Sequence, residues 1–558
     1  MILLSQKSEK LFCLKSQSKD IQSLLRDFFQ DSFFYVYNIK ENSIIFHLAL
    51  LESFLNYAKK ENLNLLIEAE LKEALELNQV FSGLDYKKKN LSPYIWLTKP
   101  YTHQIIAHNF FNTRNFGGLF DEMGLGKTKI FIDLCVNWLK EKKIENVLIV
   151  CPKALVYTWQ KEIQKHSKIK SVSLIQGGKK ERKAAIKAKK KFYVVNYELL
   201  RQDFTLFKDR KFSVIILDEA HKIKNPKAKI TKCIHKLKSD YRFVMTGTPI
   251  CNRFEDLWSL LCFIRPQLFK NQRKFLSSFC VFTPKDFYVK AKKRSYKVNV
   301  VTSYKNLDVL KSYLETISLR RLKTECLDLP LKIYQDIYVD LLPEQQKYYD
   351  NYRDELYNLI IELDPKKVTM QNQLVKFLRL RQITSSLINI CNEDLSAKYL
   401  ALDELLSDIL YDDDNAKVII WSHFVKTLLS LNKRYAKYHP ILYYGGSKNR
   451  ERLEEDFLTK PKHKLFIANP QVAGLGLNLT VAQTAIYVDK SFSYMLWTQS
   501  QDRIHRIGIS KSPQIISLIA KNTIDEHLEK ILSHKQSLTD YMIDKKIDAK
   551  NFMLGLLK

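Results

Sequence analysis

Glycine is scarce in this chain, which has only 14 glycines among its 558 residues. Where glycine is rare, a glycine inside a motif indicates a backbone that needs a positive φ or a close approach to a ligand. Several of these glycines fall in short motifs that also contain charged or hydroxyl residues. They stand at positions 124, 126, 247, 474, 476 and 508.

Long apolar runs and paired cysteines are missing as well. No run reaches the roughly 18 residues of a membrane-spanning helix, and the N-terminal MILLSQKSEK is too short in its apolar part for a secretory signal. The nine cysteines form no C-x-x-C pair and no cluster with histidine at zinc spacing. We therefore expect no membrane association, no secretion and no structural zinc, with reduced thiols in the cytoplasm, or in the nucleus of a eukaryote.

Acidic residues are too few to balance the basic ones. The chain has 91 lysines and arginines against 60 aspartates and glutamates, a formal net charge of +31. Such an excess favours a polyanionic partner, because protein cations that neutralise phosphates release counterions. The alternative is an AT-biased genome, which also enriches a chain in Lys, Ile, Asn, Tyr and Phe.

The pattern of apolar segments predicts an α/β fold with two lobes, each built on a parallel sheet. Short β-branched runs alternate with helical segments from about Thr98, lapse between about Asp256 and Leu410, and then resume. Runs that are apolar throughout predict strands buried on both faces. They are VLIVCP, KFYVVNY, FSVIILDEA and YRFVMTGTP in the first lobe, and AKVIIWSHF, HPILYYGG, HKLFIANP, TAIYVDKS and QIISLIA in the second.

We expect five segments along the chain. Residues 1–92 form an N-terminal accessory domain of unknown role, in which leucines at helical spacing predict a helix over residues 62–77. The other segments are a first lobe (93–265), helical protrusions and a linker (266–395), a second lobe (396–545) that ends in a helix, and a C-terminal tail (546–558).

The segment LFDEMGLGKTKIFIDL contains the end of a phosphate-binding loop without its usual start. The strict pattern G-x-x-x-x-G-K-[ST] places glycine where this chain has Asp121. The strand-loop-helix context still suits phosphate, with Lys127 reaching the β- and γ-phosphates and Thr128 ligating Mg²⁺. A loop glycine pair before a lysine is the alternative.

The segment VIILDEAHKIKNP supplies two carboxylates at the end of a predicted buried strand. Ligands bind at that edge of α/β sheets. Asp218 suits a Mg²⁺ held partly through water, and Glu219 suits the base that activates the attacking water. A carboxylate pair that caps the next helix is the alternative.

Two weaker patterns complete the candidate site. In VMTGTPICN, Thr246 and Thr248 end a strand and could link a nucleotide site to a nucleic-acid path, or form an ordinary turn. In QSQDRIHRIG, Arg503 and Arg506 are three apart, which predicts one helical face. Paired guanidinium groups suit a γ-phosphate whose charge develops during transfer, although surface arginines are commonly solvated.

The order of these motifs resembles the Swi/Snf family of superfamily-two helicase-like ATPases. The resemblance covers about Pro100 to Lys530, and that family's phosphate loop also lacks the first glycine. The motifs that carry it are DEMGLGKT, CPKALVYTW, DEAHKIKN, TGTPICN, RRLKTECLDLP, AGLGLNLT and QSQDRIHRIG.

The resemblance implies that both lobes are RecA-like, that the first is the ATPase lobe, and that each matching position has a role. It implies catalytic roles for Lys127, Asp218, Glu219, Arg503 and Arg506, with Thr128 and Asp218 as the magnesium ligands. It implies ATP contacts at Gln104, Gly124, Gly126, Lys127, Thr128, Gly474 and Gln499. It implies nucleic-acid contacts at Lys153, Trp159, Tyr197, Thr246, Thr248 and Asn478.

Three functions remain open on the sequence. The first is a monomeric, ATP- and Mg²⁺-dependent motor, stimulated by DNA, that translocates on double-stranded DNA with little sequence preference and remodels DNA or protein–DNA complexes. The second is a helicase that separates DNA strands. The third is a DNA-binding scaffold that does not hydrolyse ATP.

Overall fold

A computed structural model describes most of the chain from residue 96 onward and short segments before it. The described residues are 2–8, 11–16, 35–38, 43–47, 54–55, 57–58, 63, 65–67, 96–170, 172–247, 255–289, 294–362, 370–474, 476–491, 493–506, 508–529 and 532. The chain divides into two compact units. The first unit comprises Met1–Asp121, Gly126–Lys285 and Lys297–Arg320, and the second comprises Glu122–Leu125, Asp286–Tyr296 and Arg321–Lys558. The boundary at Arg320 falls inside the segment predicted as a linker.

A five-stranded sheet stands at the start of the first unit. Its strands are β1 (Ile2–Ser8), β2 (Leu11–Ser16), β3 (Tyr35–Asn38), β4 (Ser43–His47) and β5 (Leu65–Ile67). The strand order is β3-β4-β2-β1-β5, in which only the β1–β5 pair is parallel.

The helix predicted over residues 62–77 is wrong for Leu65–Ile67, which form β5. Three adjacent apolar residues serve a strand as well as a helix, so periodicity could not separate the two. Residues 68–77 lie outside the described part of the chain.

The main sheet of the first unit has seven parallel strands. They are β6 (Phe116–Leu119), β7 (Val147–Cys151), β8 (Val172–Ile175), β9 (Phe192–Asn196), β10 (Lys211–Asp218), β11 (Lys238–Met245) and β14 (Ser318–Leu319). Their order is β14-β6-β11-β10-β7-β9-β8. Every residue of β7 and β9 is buried, as continuous apolar runs predict for strands covered on both faces. The four strands predicted for this lobe are confirmed.

Helices cover this sheet, and aromatic packing holds the helix that follows β6 against it. The helices of the first unit are α1 (Thr102–Asn112), α2 (Lys127–Lys140), α3 (Val156–His166), α4 (Lys179–Lys187), α5 (Tyr197–Gln202), α6 (Phe204–Lys208), α7 (Lys229–His235), α8 (Asp256–Ile264), α9 (Gln272–Phe279) and α10 (Leu307–Ile317). Phe131 of α2 packs against Phe111 of α1 and Phe243 of β11, with ring centroids 5.2 Å apart in both pairs. This buried aromatic contact holds α2 on the sheet.

The predicted helical segment at 266–395 also contains strands. A two-stranded hairpin is formed by β12 (Cys280–Val289) and β13 (Arg294–Tyr304), β14 joins the first main sheet, and β15 (Ile333–Val339) joins the second. Strands thus accompany the predicted helices here, because pairing with a partner strand outweighs local helical propensity.

The main sheet of the second unit has six parallel strands. They are β15, β16 (Val418–Trp421), β17 (Ile441–Tyr443), β18 (Leu465–Ala468), β19 (Thr484–Tyr487) and β20 (Gln514–Ala520). Their order is β15-β20-β19-β16-β18-β17. Successive residues of β16 face opposite sides: Val418 and Ile420 join one apolar core, Ile419 and Trp421 the other. The five strands predicted for this lobe are confirmed.

The helices of the second unit flank both faces of this sheet. They are α11 (Lys323–Cys326), α12 (Pro343–Glu362), α13 (Met370–Ser385), α14 (Ala397–Asp412), α15 (Val425–Arg434), α16 (Arg450–Thr459), α17 (Pro470–Ala473) and α18 (Tyr494–Gln501). Residues 524–529 are helical, as expected for the closing helix, and residues 533–558 lie outside the described part.

The prediction of two α/β lobes with parallel sheets is therefore confirmed. Within the described residues, none of the helices combines the length and the apolar character needed to cross a bilayer.

Candidate active site

A loop with two glycines in left-handed conformation precedes α2 at the carboxyl edge of the first sheet. Gly124 and Gly126 have φ of +89° and +72°, values that other residues rarely adopt. Helix α2 begins at Lys127, so the partial positive charge of its N-terminus faces this loop. Lys127 Nζ donates to the backbone carbonyl of Asp121 at 2.8 Å, and Asp121 itself is fully buried. Asp121, which stands in the place of the usual glycine, thus contributes a backbone oxygen to the loop.

Gln104 lies directly against this loop. It is buried in the first turn of α1, where its Oε1 accepts a hydrogen bond from the backbone N–H of Tyr101 at 3.0 Å. A Cβ placed on Gly126 would lie 2.3 Å from Gln104 Nε2, so the Gln104 amide would have to shift. The positive φ of Gly126 favours glycine at this position, and the contact with Gln104 adds to this preference.

Two carboxylates stand at the end of β10. Asp218 is its last residue, and Glu219 follows with a φ of +48°. Trp159 Nε1 donates to Asp218 Oδ2 at 2.8 Å, and the backbone N–H of Glu219 donates to Asp218 Oδ1 at 2.8 Å. The hydroxyl of Tyr197 donates to the backbone carbonyl of Asp218 at 2.8 Å. The Asp218 carboxylate is thus fixed in one orientation.

The charges of this edge act on each other. Burial and the neighbouring charge of Glu219 raise the pKa of Asp218 to about 7. Burial lowers the pKa of Lys127, and the charges of Glu219, Asp121 and Asp218 oppose that effect. The structure therefore brings Lys127, Asp218 and Glu219 into one buried electrostatic cluster, which is the combination that a metal-bound phosphate needs.

A polar chain leads from Glu219 toward the end of β11. His221 Nδ1 lies 3.3 Å from Glu219 Oε2 and 3.5 Å from Thr246 Oγ1. Thr246 is fully buried, and its backbone N–H donates to the carbonyl of Leu119 at the end of β6. Thr246 therefore links Glu219, through His221, to the end of β6, the strand that leads into the phosphate loop.

Sequence reasoning missed Arg320, which follows β14. Its Nη1 donates to the backbone carbonyls of Phe120 at 2.7 Å and Gly247 at 3.1 Å. These carbonyls follow β6 and β11, so Arg320 fixes the two strand ends that flank the phosphate loop. The motif RRLKTECLDLP contains Arg320, but the motif alone gave it no role.

Three of the predicted nucleic-acid contacts are buried in the structure. Trp159, Tyr197 and Thr246 have 1%, 2% and 0% of their surface exposed. Trp159 and Tyr197 orient Asp218, and Thr246 connects to His221. Lys153 and Asn478 are exposed, and Thr248 lies outside the described residues.

In the second unit, the candidate arginines follow a helix instead of sharing one of its faces. Helix α18 ends at Gln501, and residues 502–506 form turns, so the predicted helical face is wrong. Arg503 is buried, with Nε donating to the carbonyl of Gln499 at 2.9 Å and Nη1 to that of Leu477 at 3.1 Å. Arg506 Nε donates to the carbonyl of Asp502 at 2.9 Å. Hydrogen bonds to backbone carbonyls thus fix these side chains.

The other predicted ATP contacts of the second unit lie close to Arg503. Gln499 is fully buried, and neither its Nε2 nor its Oε1 has a hydrogen-bond partner among the described residues. A buried amide without partners costs about 1–3 kcal/mol, so a ligand that supplies partners would recover this energy. Gly474 ends α17, where a Cβ would lie 2.2 Å from the carbonyl oxygen of Pro470. Close packing thus already requires glycine at this position.

Comparison with known proteins places most of the chain in two family models. The model of the SNF2-related domain matches residues 56–393, and that of the helicase conserved C-terminal domain matches residues 397–508. The first match alone spans more than half of the chain, and the two together contain both candidate halves of the site.

Named relatives agree with these matches. The chain is 32% identical over 437 residues to an uncharacterised ATP-dependent helicase of Mycoplasma genitalium, covering 76% of this chain and 40% of the relative. It is 28% identical over 465 residues to the mouse SWI/SNF-related matrix-associated actin-dependent regulator of chromatin subfamily A member 1, covering 77% of this chain and 42% of the relative. The chain thus spans about two fifths of the length of these relatives.

A solved structure is also similar in sequence. The Sulfolobus solfataricus SWI2/SNF2 ATPase core in complex with dsDNA is 27% identical, with 83% of this chain and 98% of that chain covered and a TM-score of 0.39. The family assignment rests on the two family models. The chain belongs to the SNF2 family of helicase-like ATPases.

Proposed function

We propose that this chain is a DNA-stimulated, Mg²⁺-dependent ATPase that translocates on duplex DNA and remodels DNA or protein–DNA complexes. The observation that carries the proposal is the position of Lys127 at the start of α2, directly after the loop of Gly124 and Gly126, and of Asp218 and Glu219 at the end of β10 in the same sheet. A lysine beside two carboxylates at the carboxyl edge of a parallel sheet suits a metal-bound triphosphate.

The donor set fits Mg²⁺ that arrives together with phosphate. Mg²⁺ prefers one or two carboxylates, several waters and substrate phosphates to an all-protein cage. Within the described part of the chain, no group of three or more His, Cys, Asp or Glu side chains could hold a metal ion by itself. Asp218 and the Thr128 hydroxyl would hold the ion from the protein side, and the bound ion would neutralise charge that develops on phosphate.

Each residue of the first unit then has a distinct task. Lys127, now bound to the carbonyl of Asp121, would exchange this contact for phosphate oxygens. Glu219 would orient the attacking water and accept its proton. The raised pKa of Asp218 would fall beside the cation, because a nearby positive charge favours the carboxylate. Gln104 would contribute its amide next to Gly126.

The arginines of the second unit would complete the charge balance. Arg503 and Arg506 would stabilise the charge that develops on the transferred phosphoryl group. Gln499 would gain hydrogen-bond partners for its buried amide when nucleotide is present. Hydrolysis would then depend on domain closure, which gates many enzymes of this kind on the microsecond-to-millisecond scale.

Duplex DNA is the proposed stimulating partner. Support comes from the net charge of +31 and from the exposure of Lys153 and Asn478. Contacts to the phosphate backbone carry no sequence information, so we expect little sequence preference and a steep salt dependence. The mouse relative is named as a regulator of chromatin, which agrees with action on protein–DNA complexes.

ATP turnover with different nucleic acids tests this proposal. We expect duplex DNA to raise turnover more than single-stranded DNA or RNA does, and Lys127→Ala to abolish it. Glu145→Ala, at an exposed position of the first unit, is the control and keeps turnover unchanged. Equal turnover of Lys127→Ala and the unmodified chain would contradict the enzyme assignment and favour a DNA-binding scaffold.

Strand displacement separates translocation from unwinding. A translocase releases a triplex-forming strand from duplex DNA without opening a forked duplex. A strand-separating helicase opens the fork. We expect release of the third strand alone, and fork opening without triplex release would favour the helicase.

A further inference from the structure

The second unit buries one carboxylate between two lysines. Asp502 Oδ1 accepts from Lys323 Nζ at 2.7 Å and from Lys332 Nζ at 3.1 Å. The side chains of Asp502 and Lys323 are only 4% and 3% exposed, and that of Lys332 is 14% exposed. Removing such charges from water costs several kcal/mol per ion, which good pairing has to offset. Stability alone is therefore a weak reason for a buried ionic cluster.

The same lysines hold the backbone and side chains around Asp502. Lys323 Nζ also donates to the carbonyl of His505 at 2.8 Å, and Lys332 Nζ donates to Gln501 Oε1 at 3.1 Å. The hydroxyl of Tyr334 donates to the same Gln501 oxygen at 2.9 Å. Residues 323–334 therefore hold the end of α18 and the turns that follow it.

These turns carry the candidate arginines. Arg503 is the next residue after Asp502, and Arg506 Nε donates to the Asp502 carbonyl at 2.9 Å. His505 Nε2 lies 2.9 Å from the carbonyl of Pro330, a further link between the two segments. Any shift of Asp502 would thus move the backbone on which both guanidinium groups depend.

The carboxylate also keeps its charge. Burial alone would raise the pKa of Asp502, but the charges and hydrogen bonds of Lys323 and Lys332 bring it well below its usual range. The Asp502 side chain is therefore a carboxylate at neutral pH, whereas burial lowers the pKa of Lys323.

We propose that Lys323, Lys332 and Asp502 are positioning residues that fix the turns carrying Arg503 and Arg506 in the geometry needed for phosphoryl transfer. The inference rests on the proposed ATPase function. It assigns a mechanistic role to the two lysines of the segment RRLKTECLDLPLK, which contact the arginine turns.

Steady-state ATP turnover with saturating duplex DNA tests the proposal. We expect Asp502→Asn and Lys332→Ala each to lower kcat by on the order of 10- to 100-fold, as small misplacements of catalytic groups do. The KM for ATP and the affinity for DNA should stay within about twofold, and Lys332→Arg should restore most of kcat. Asp340→Asn, which removes an exposed ion pair with Lys521 in the same unit, is the matched control and leaves kcat unchanged.

A double-mutant cycle distinguishes positioning from simple stabilisation. If Asp502 acts through the turns that carry Arg503 and Arg506, the double variant Asp502→Asn/Arg506→Ala loses less kcat than the product of the two single losses. Independent effects would multiply, and that result would overturn the proposal. Unchanged kcat in Asp502→Asn or in Lys332→Ala would also overturn it.

The outcomes remain separable from failure of the proposed function. If Asp502→Asn does not fold, as shown by loss of its thermal transition, the partly exposed Lys332→Ala and Lys332→Arg decide the matter. An unmodified chain without DNA-stimulated turnover would refute the proposed function and this inference with it. An active unmodified chain with active Lys332→Ala would refute only the inference.

Discussion

Replacing Asp218 with asparagine should stabilise the nucleotide-free protein at alkaline pH while it removes a magnesium ligand. The pKa of Asp218 rises from 3.8 to about 7 in the folded state. The folded state therefore binds the proton more tightly than the unfolded state, so folding stability falls as pH rises from about 4 through about 7. Ionising the buried carboxyl group costs folding free energy, and the neutral asparagine side chain has no such cost.

The size of this effect follows from the pKa difference. Roughly 3 pKa units correspond to about 4 kcal/mol at pH 8, where the native carboxylate has to ionise. Asparagine has one acceptor oxygen for the two donors Trp159 Nε1 and Glu219 N–H, and a lost hydrogen bond costs about 1 kcal/mol. The net gain of Asp218→Asn is then about 3 kcal/mol at pH 8 and close to zero near pH 5.

Thermal unfolding in EDTA without nucleotide measures the difference. We expect Asp218→Asn to raise the midpoint of the first unit's transition by several degrees at pH 8 and by little at pH 5. Glu145→Gln, at an exposed position of the same unit, serves as the control and shows no pH-dependent change. A variant that is equally or less stable than the unmodified chain at both pH values would refute the reasoning.

Three further predictions concern the first unit. Trp159→Phe removes a donor to Asp218 and raises its pKa, so the acid limb of the turnover–pH profile should move to higher pH; an unchanged limb would show that the indole has no such role. Gly126→Ala should weaken ATP binding at least about tenfold in a nucleotide titration, because Gly126 has a positive φ and the added Cβ meets Gln104. An unchanged affinity for ATP would contradict the assignment of this loop as the phosphate site. Lys153→Ala should lower the affinity for duplex DNA and make the slope of log binding constant against log salt concentration shallower by about 1. Trp159→Phe should leave this slope unchanged. The reverse result would favour Trp159 as the DNA contact.

The strands and the main ionic residues could be predicted from the sequence for physical reasons. Strands such as Val147–Cys151 are buried on both faces, so they must be apolar throughout and are recognisable. Asp218 and Glu219 stand at the end of one predicted strand, and Lys127 begins the helix after another. Their place at the edge of the sheet therefore follows from the order of elements.

Contacts between distant segments could not be predicted in this way. Trp159 was assigned to DNA because its motif is a DNA-backbone motif, yet its indole meets Asp218, 59 positions away. Lys323 and Asp502 are 179 positions apart, and nothing in either local pattern specifies the other. The hairpin of β12 and β13 did leave a signal, the alternation in KVNVV, which the surrounding helical segments obscured.

The helical face assumed for Arg503 and Arg506 shows the same limit. A spacing of three fits a helix, but the helix ends at Gln501, where Asp502 is held by two lysines from another segment. Tertiary contacts thus decide where the helix ends, and spacing alone does not contain them.

The most direct test of the central claim is phosphate release by Glu219→Gln with saturating ATP, Mg²⁺ and duplex DNA. We expect turnover to fall by at least about 100-fold while ATP still binds, because the phosphate loop is intact and only the water-activating carboxylate is lost. Turnover of Glu219→Gln at the rate of the unmodified chain would contradict the assignment of this sheet edge as the site of ATP hydrolysis.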